Sequence, residues 1–445
     1  LNLKGSIDRI IQGKSGASAI VQTIAANVVI QAANIGAGIL TARSLGPAGR
    51  GSLAAIIMWP QFLAYASTIG VPVASVYYLK RRPDLAGTLS GTAIAISVVM
   101  GFVASLVGYF IIPHSLHTYP PAVIHFAQHA VFVAPLALLG VTLFNQAQSA
   151  GSFKHYNIFR FAPPLSILLV LWLEKLSGVL NSSHAALAYL LAGTPIMIYN
   201  LAWISKRFAP TLKGSLVSAR LLLGYGVRAW GADLLGMVAN QVDRLLVVGM
   251  LGPESMGLYV VAQSAAGVIN AIPGAVVSVT LPKAAGKSAD DIVALTGRSA
   301  RLTLLIMLLV SLPLLTVGGF LLKLVYGGKF LMASVVLRFL VVETILDGLT
   351  AVLSQAFLAA GYPGTVTILQ GLGVLSAVPL LYWLIPLWGL KGAGCALMLA
   401  TGVRFTFILL NFPLRLKVPP PHLVIGKEEI MALIRSRQLA PPIDT

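Results

Sequence analysis

The sequence predicts an all-α, polytopic membrane protein with twelve transmembrane helices in two six-helix lobes around a central cavity. Three observations predict it. The composition is too poor in charge for a surface in water, apolar stretches long enough to span a bilayer follow one another along the chain, and a loop motif recurs 206 residues on.

Hydrophobic residues make up 57% of the 445 residues and charged ones 10%, where a soluble domain carries roughly 45 to 50% and about 25%. Thirteen acidic and 31 basic side chains cannot clothe so large a chain in water. The formal charge of +18 raises the question of nucleic acid. Placement answers it: the basic residues sit in short clusters between apolar runs, as at membrane ends that meet anionic lipid, and no nucleic-acid partner is expected. The single cysteine, Cys395, lies in an apolar run and provides neither a disulfide nor a ligand cluster.

Residues 1–17 alternate Ile or Leu with charged and polar residues, which fits an N-terminal cytoplasmic or interfacial segment better than the apolar core of a cleavable signal. Apolar stretches able to cross about 30 Å of hydrocarbon then lie near 18–41, 51–79, 88–112, 122–149, 158–176 and 184–204, an N-lobe over 18–205. A cytoplasmic linker follows at 206–216. Stretches near 217–240, 256–281, 302–322, 334–360, 364–386 and 390–413 make a C-lobe over 217–413, and 414–445 is a cytoplasmic tail. Runs of this length give helices, because barrel strands would be about ten residues long and alternating.

Twelve crossings put both termini on one side. With that side cytoplasmic, its segments hold twenty-one basic residues, among them Lys80, Arg81, Arg82, Lys206, Arg207 and Lys213, against eight opposite. The positive-inside bias therefore predicts cytoplasmic termini and a multi-pass protein of the inner, cytoplasmic membrane. Pro60 and Pro72 in the second span and Pro273 in the eighth mark bends, fixed or moving.

The recurring motif is "ARSLGPAGRGSL" at 42–53 and "VGMLGPESMGLY" at 248–259. A glycine follows each proline by four residues, at Gly51 and Gly257, and Asn34 and Asn240, each after an alanine, precede the two triplets. Each motif comes just after the first span of its half. Six crossings is even, so the halves are parallel repeats about an axis along the membrane normal, the arrangement of some transporters that open alternately to each side. Asp243 beside Arg244 at a span end is expected to anchor the helix in the headgroup layer, and Gly252, Pro253 and Gly257 to shape the turn.

No catalytic constellation stands out, so no enzyme is expected. Histidines 114, 117, 125 and 129 cluster without a carboxylate or cysteine, which makes a metal site an inferior reading to polar loop ends. Glycine patterns for phosphate followed by Lys-Ser or Lys-Thr are absent, so energy comes from a gradient, by proton or sodium coupling, or from the substrate, without a bound cofactor. The informative residues are charges inside spans: Arg228 and Asp233 in the seventh, Glu343 and Asp347 in the tenth, Arg404 in the twelfth. A charge facing lipid at the midplane costs roughly 3 kcal/mol. Each therefore faces a cavity or a partner. Glu343 and Asp347 share a helical face, which makes them, with Asp233, ion-coupling candidates; a structural partnership with Arg338 is the alternative. Arg228 and Arg404, with Arg43 and Arg50 near the outer mouth, are substrate-binding candidates because a guanidinium fork suits phosphate oxygens. Structural ion pairs are their alternative.

"NIGAGILTARSLGPAGRGSLA" (34–54), "GVPVASVYYLKRRP" (70–83) and "ANQVDRLLVVGMLGPESMGLYVVAQS" (239–264) resemble the polysaccharide-exporter branch of the multidrug, oligosaccharidyl-lipid and polysaccharide transporter superfamily. The resemblance covers roughly residues 18 to 413. It implies a two-lobed flippase that moves a lipid-linked oligosaccharide, typically on undecaprenyl diphosphate, across the membrane by alternating access for surface polysaccharide synthesis. Membrane lipids and the polysaccharide polymerase machinery are its implied partners. Related branches extrude cationic drugs, coupled to cations, or flip the peptidoglycan-precursor lipid, the latter usually with extra C-terminal helices, so that a count of twelve spans argues mildly against that version. In relatives, cavity arginines contact the diphosphate, a part Arg228 or Arg404 would take.

Overall fold

A computed structural model describes the backbone of residues 16–423; side chains are described from residue 27 onward, excepting 153, 154, 232, 233 and 240. Of the expected terminal segments 1–17 and 414–445, residues 1–15 and 424–445 lie outside the described residues. The described chain is helical with no strand. Its helices are α1 (Gly16–Ala66), α2 (Val71–Arg81), α3 (Ala86–Ser115), α4 (Pro121–Ala130), α5 (Ala134–Ser149), α6 (Phe153–Leu176), α7 (Ser182–Leu191) and α8 (Thr194–Phe208). There follow α9 (Ser215–Met250), α10 (Pro253–Ala266), α11 (Ala271–Ala284), α12 (Ala289–Tyr326), α13 (Ala333–Ala359) and α14 (Pro363–Asn411). Among the described residues, eight helical stretches are long and apolar enough to cross a membrane. This is an all-α, multi-pass membrane fold.

The breaks fall where local chemistry puts them. Helix α1 is interrupted at Gly46 (φ 67°, ψ −177°), the residue before Pro47, and α14 at Gly389 (φ 56°). Between α1 and α2 the chain turns through two successive positive φ values, Ile69 at 46° and Gly70 at 66°. A β-branched residue is an outlier there, so this turn carries strain. Pro72 then sits in the first turn of α2 and Pro273 in that of α11, where a missing N–H costs no helical bond. The stretches expected at 51–79 and 256–281 are thus each two helices around a short break.

The chain divides into two compact units, residues 1–264 with 322–332, and residues 265–321 with 333–445. Within the first unit, α3 and α5 lie close because small residues face each other, and hydroxyls and an amide bond across the gap. Ser97 Oγ and Thr142 Oγ1 are 2.6 Å apart, and Ser90 Oγ donates to Gln146 Oε1 at 2.8 Å. Such bonds average about 0.6 kcal/mol in a membrane, but they fix which faces meet. The start of α10 crosses the middle of α1 at Gly257 and Gly51. Within the second unit, α13 packs along α14, and Phe357 meets Phe412 edge to face at 5.0 Å.

Candidate functional site

Within the first unit, α1, α2, α5 and α9 wall a cavity of about 490 Å³. Its polar lining is uncharged: Gln61, Thr68, Asn145 and Gln241, set among Phe62, Tyr65 and Met237. The strained turn at Ile69–Gly70 forms part of the wall, so the break that interrupts the helix also shapes the space. A second, more open cleft of about 580 Å³ adjoins it, sharing Val73 and Asn145. Here the lining becomes cationic, with Lys80 and Arg81 beside Gln148.

The cleft's cation is positioned by aromatic rings. Arg81 Nη1 donates to the Tyr77 hydroxyl, one turn back on α2, and its guanidinium carbon lies 5.6 Å from the Tyr77 ring centre. Tyr77 stacks on Tyr225 of α9 at 4.6 Å. Cation–π contact and a neutral hydrogen bond hold Arg81 without cancelling its charge. Its neighbour Arg82 differs, because it forms an ion pair with Asp84 at 2.9 Å. Two of the three successive cations therefore line the cleft, while the third is neutralised beside it.

The residues singled out from the sequence fall elsewhere. Arg43 Nε donates to the carbonyl oxygen of Val325 at 2.8 Å and its Nη2 to that of Leu324, completing the bare C-terminal end of α12. Arg50 is 8% exposed, beside Tyr326, and its Nε and Nη1 have no hydrogen-bond partner. Arg228 is exposed on α9. The Asp233 side chain lies outside the described residues. The second unit brings three of the expected residues together: Arg404 Nη2 pairs with Asp347, and Glu343 Oε1 accepts from Thr401 Oγ1 at 3.1 Å. The partner of Asp347 is thus Arg404 of α14, while Arg338 is exposed. Among the described residues no group of three or more His, Cys, Asp or Glu is placed to hold a metal ion. His114, His117 and His129 turn a ring nitrogen to carbonyls of their own segments.

One expectation is corrected. Asp243 does not anchor a helix end among headgroups: it is 6% exposed, and its Oδ2 accepts from the Tyr259 hydroxyl and from Gln263 Nε2 at 2.9 Å, both on α10. The motif's two helices are joined through this buried carboxyl, a pairing that needs the turn at Leu251–Gly252 to fold α10 back on α9.

The cavity's own residues carried little sequence signal. Gln61, Asn145 and Gln241 come from three distant helices, and a lone amide in an apolar span has no diagnostic spacing. The one usable signal is "NQAQ" at 145–148, three amides within an otherwise apolar run.

The fold of this helical membrane bundle is similar to those of solved transporters of the MOP superfamily. The lipid II flippase MurJ in an inward closed conformation shares 16% identity over 90% of this chain and 88% of that one, with a TM-score of 0.72. An inward-facing multidrug resistance MATE family transporter of the MOP superfamily shares 16% identity over 90% and 98%, TM-score 0.69. A MOP superfamily transporter from Pyrococcus furiosus, described by the reverse polarity of its binding pocket, shares 15% over 92% and 97%, TM-score 0.58. No curated protein matches this sequence. The chain belongs to the polysaccharide biosynthesis protein family, whose profile matches residues 40–335, well over half its length. That membership agrees with the resemblance carried by the two Leu-Gly-Pro segments.

Proposed function

We propose that this protein flips a lipid-linked oligosaccharide, joined to its polyprenyl carrier by a diphosphate, across the cytoplasmic membrane by alternating access, for surface polysaccharide synthesis. The observation that carries the reading is the change of character along the cavity: amides and hydroxyls inside, cations at the adjoining cleft. Sugars offer many hydroxyls and are held by amide donors and acceptors. A diphosphate needs fixed positive charge, which Lys80 and Arg81 provide. The polyprenyl tail stays in lipid, because only the polar head has a large cost of entering hydrocarbon.

Family membership supports this reading over drug efflux, since fold neighbours include both a lipid flippase and multidrug transporters. A pocket for organic cations would present carboxylates and aromatic rings, and the described lining of the cavity and cleft contains no carboxylate. We take the membrane arrangement as twelve crossings in two six-helix lobes, 18–205 and 217–413, with both termini cytoplasmic. Separating the halves of α1 at Gly46 and of α14 at Gly389, and adding α9 and α13, gives that number. The cleft at Lys80 and Arg81 then faces the cytoplasm, where the cargo is made. Arg43 and Arg404, already bonded to carbonyls and to Asp347, serve structure; Glu343 and Asp347 remain the C-lobe candidates for proton or sodium coupling.

The test is headgroup translocation in proteoliposomes. Purified protein is expected to move a diphosphate-linked oligosaccharide lipid and not an organic cation. Transport of the cation with no movement of the sugar lipid would reverse the assignment.

A further inference from the structure

Among the described residues two charged side chains are more than nine-tenths buried, Asp243 and Arg50. Asp243 accepts hydrogen bonds from Tyr259 and Gln263. Arg50 differs: its Nε and Nη1 are enclosed without a hydrogen-bond partner, and no acid among the described residues pairs with it. Those two nitrogens lie on different edges of the guanidinium, so each edge keeps a free donor.

The surroundings of Arg50 add positive charge. Arg43 binds the carbonyl oxygens of Leu324 and Val325 and so ties the end of α12 to α1. Tyr326, the last residue of α12, lies beside Arg50, and its ring stands 6.2 Å from that of Phe330. Between those two rings in sequence is Lys329, whose exposed side chain passes the break in α1: a Cβ on Gly46 would stand 3.9 Å from Lys329 Cδ. Helix α7 reaches the same stretch through Ser182, which donates to the Gly49 carbonyl oxygen at 3.0 Å, and α10 through the crossing of Pro253 with Gly51. The acids that adjoin those elements are Glu174, which faces His184, and Glu254, exposed in the first turn of α10. Neither forms an ion pair with Arg50.

We propose that Arg50 anchors a binding site for a lipid phosphate beside the α1 break, on the exterior side of the membrane. The side rests on the topology proposed above. Two lipids carry the required group there: an anionic phospholipid of the exterior leaflet and, resting on the flippase reading, the cargo whose diphosphate has crossed. Lys329 is the second cation at the same break, and Arg43 is a positioning residue that holds the end of α12 over α1.

The physical argument is one of charge balance. A fixed charge taken out of water is stable only when it is compensated. Tyr326 is neutral, and Arg43 and Lys329 add charge of the same sign, so the compensation comes from an anion outside the chain. Phosphate suits a guanidinium, whose planar donors match its oxygens, and lipid phosphates lie in the headgroup layer where a helix leaves the hydrocarbon. The second repeat supplies an internal comparison. Arg50 precedes Gly51 as Met256 precedes Gly257, and Met256 is 1% exposed. Packing at the crossing is therefore met by an unbranched apolar side chain, and the charge at position 50 is surplus to it.

The test measures binding by native mass spectrometry and thermal unfolding of full-length protein in a neutral detergent. The probes are phosphatidylglycerol, a short-chain prenyl diphosphate carrying one N-acetylhexosamine, and inorganic phosphate. All are run in a Lys80→Gln, Arg81→Gln background, so that the cytoplasmic cleft does not contribute. Arg50→Met, the residue its repeat equivalent uses, should weaken binding of at least one of the two lipids about tenfold or more, while its ligand-free unfolding temperature equals or exceeds that of the parent. Lys329→Gln should weaken binding less, and Arg50→Lys should keep part of it. Parent affinity for both lipids in Arg50→Met overturns the proposal. So does a ligand-free Arg50→Met that is destabilised or does not fold, since protein groups would then be what holds the guanidinium. Inorganic phosphate bound as tightly as the lipids overturns the lipid assignment. Whichever lipid loses affinity in Arg50→Met is the source of the phosphate, and either result sustains the site. Absence of headgroup translocation by wild type, with lipid binding at Arg50 intact, removes the flippase reading and leaves the site standing.

Discussion

Gly51 and Gly257, equivalent positions in the two Leu-Gly-Pro repeats, meet backbone to backbone. A Cβ on Gly51 would stand 1.7 Å from the carbonyl oxygen of Pro253, and one on Gly257 would stand 1.9 Å from that of Pro47. The contact is reciprocal: each glycine faces the carbonyl of the other motif's proline. A repeated motif that meets its own copy in this way is what a local two-fold relation between the repeats requires.

Because even a methyl group clashes with backbone here, Gly51→Ala and Gly257→Ala should both lower folded yield and thermal stability, by at least the 1–3 kcal/mol typical of overpacking. Gly252→Ala is the control, since a Cβ there meets nothing within 4 Å. Fluorescence-detected gel filtration and thermal unfolding read the outcome. Normal yield and stability with transport abolished would place the crossing in the transport cycle instead of the fold.

Lys80→Gln and Arg81→Gln should each slow headgroup translocation about tenfold or more at equal amounts of folded protein, as expected for loss of a charge-assisted phosphate contact. Arg82→Gln should have a smaller effect, its charge being already paired with Asp84. Arg81→Lys should rescue only partly, because a point charge lacks the planar fork. Equal rates in all four variants would remove the cleft from the pathway.

Arg404→Gln leaves Asp347 without its partner, and Asp347→Asn leaves the guanidinium, whose Nε is buried without a hydrogen bond, without its counter-charge. Each single change should destabilise by about 1–3 kcal/mol, and the double variant by less than the sum. Additive losses in thermal unfolding would show that the pair is not coupled.

Tyr119, in the turn between α3 and α4, is 4% exposed, and its hydroxyl has no hydrogen-bond partner. Burial alone pushes its phenol above the ordinary range. Tyr119→Phe removes an unsatisfied hydroxyl while keeping the ring, so it should raise stability by about 1 kcal/mol. A lower unfolding temperature would mean that the hydroxyl has a partner.

In a variant lacking Cys395, Lys213→Cys, exposed between α8 and α9, should react with an impermeant thiol reagent only from the cytoplasmic face. Labelling from the exterior face would invert the proposed topology and put the cleft at Lys80 on the wrong side for cargo entry.

The sequence by itself determined the solvent, the helices and the family. In hydrocarbon a backbone must bond to itself, so an apolar run of some twenty residues is already a helix, and the Leu-Gly-Pro motifs are legible because Gly46–Pro47 and Gly252–Pro253 break helices locally. It also pointed to Glu343, Asp347 and Arg404, since a charge inside a span demands a partner whatever the fold. Only the tertiary structure decided which partner, pairing Asp347 with Arg404 of α14 and spending Arg43 on the carbonyls of Leu324 and Val325. It alone assembled the cavity, whose Gln61, Asn145 and Gln241 stand far apart in the chain, and it turned Lys80 and Arg81 from topology markers into the lining of a cleft. Asp243 makes the same point: a carboxyl at a helix end reads as surface until α10 folds back and buries it against Tyr259. Hydropathy and helix breaking are properties of neighbouring residues, whereas a binding site is made of contacts across the chain, and those exist only once the helices have packed.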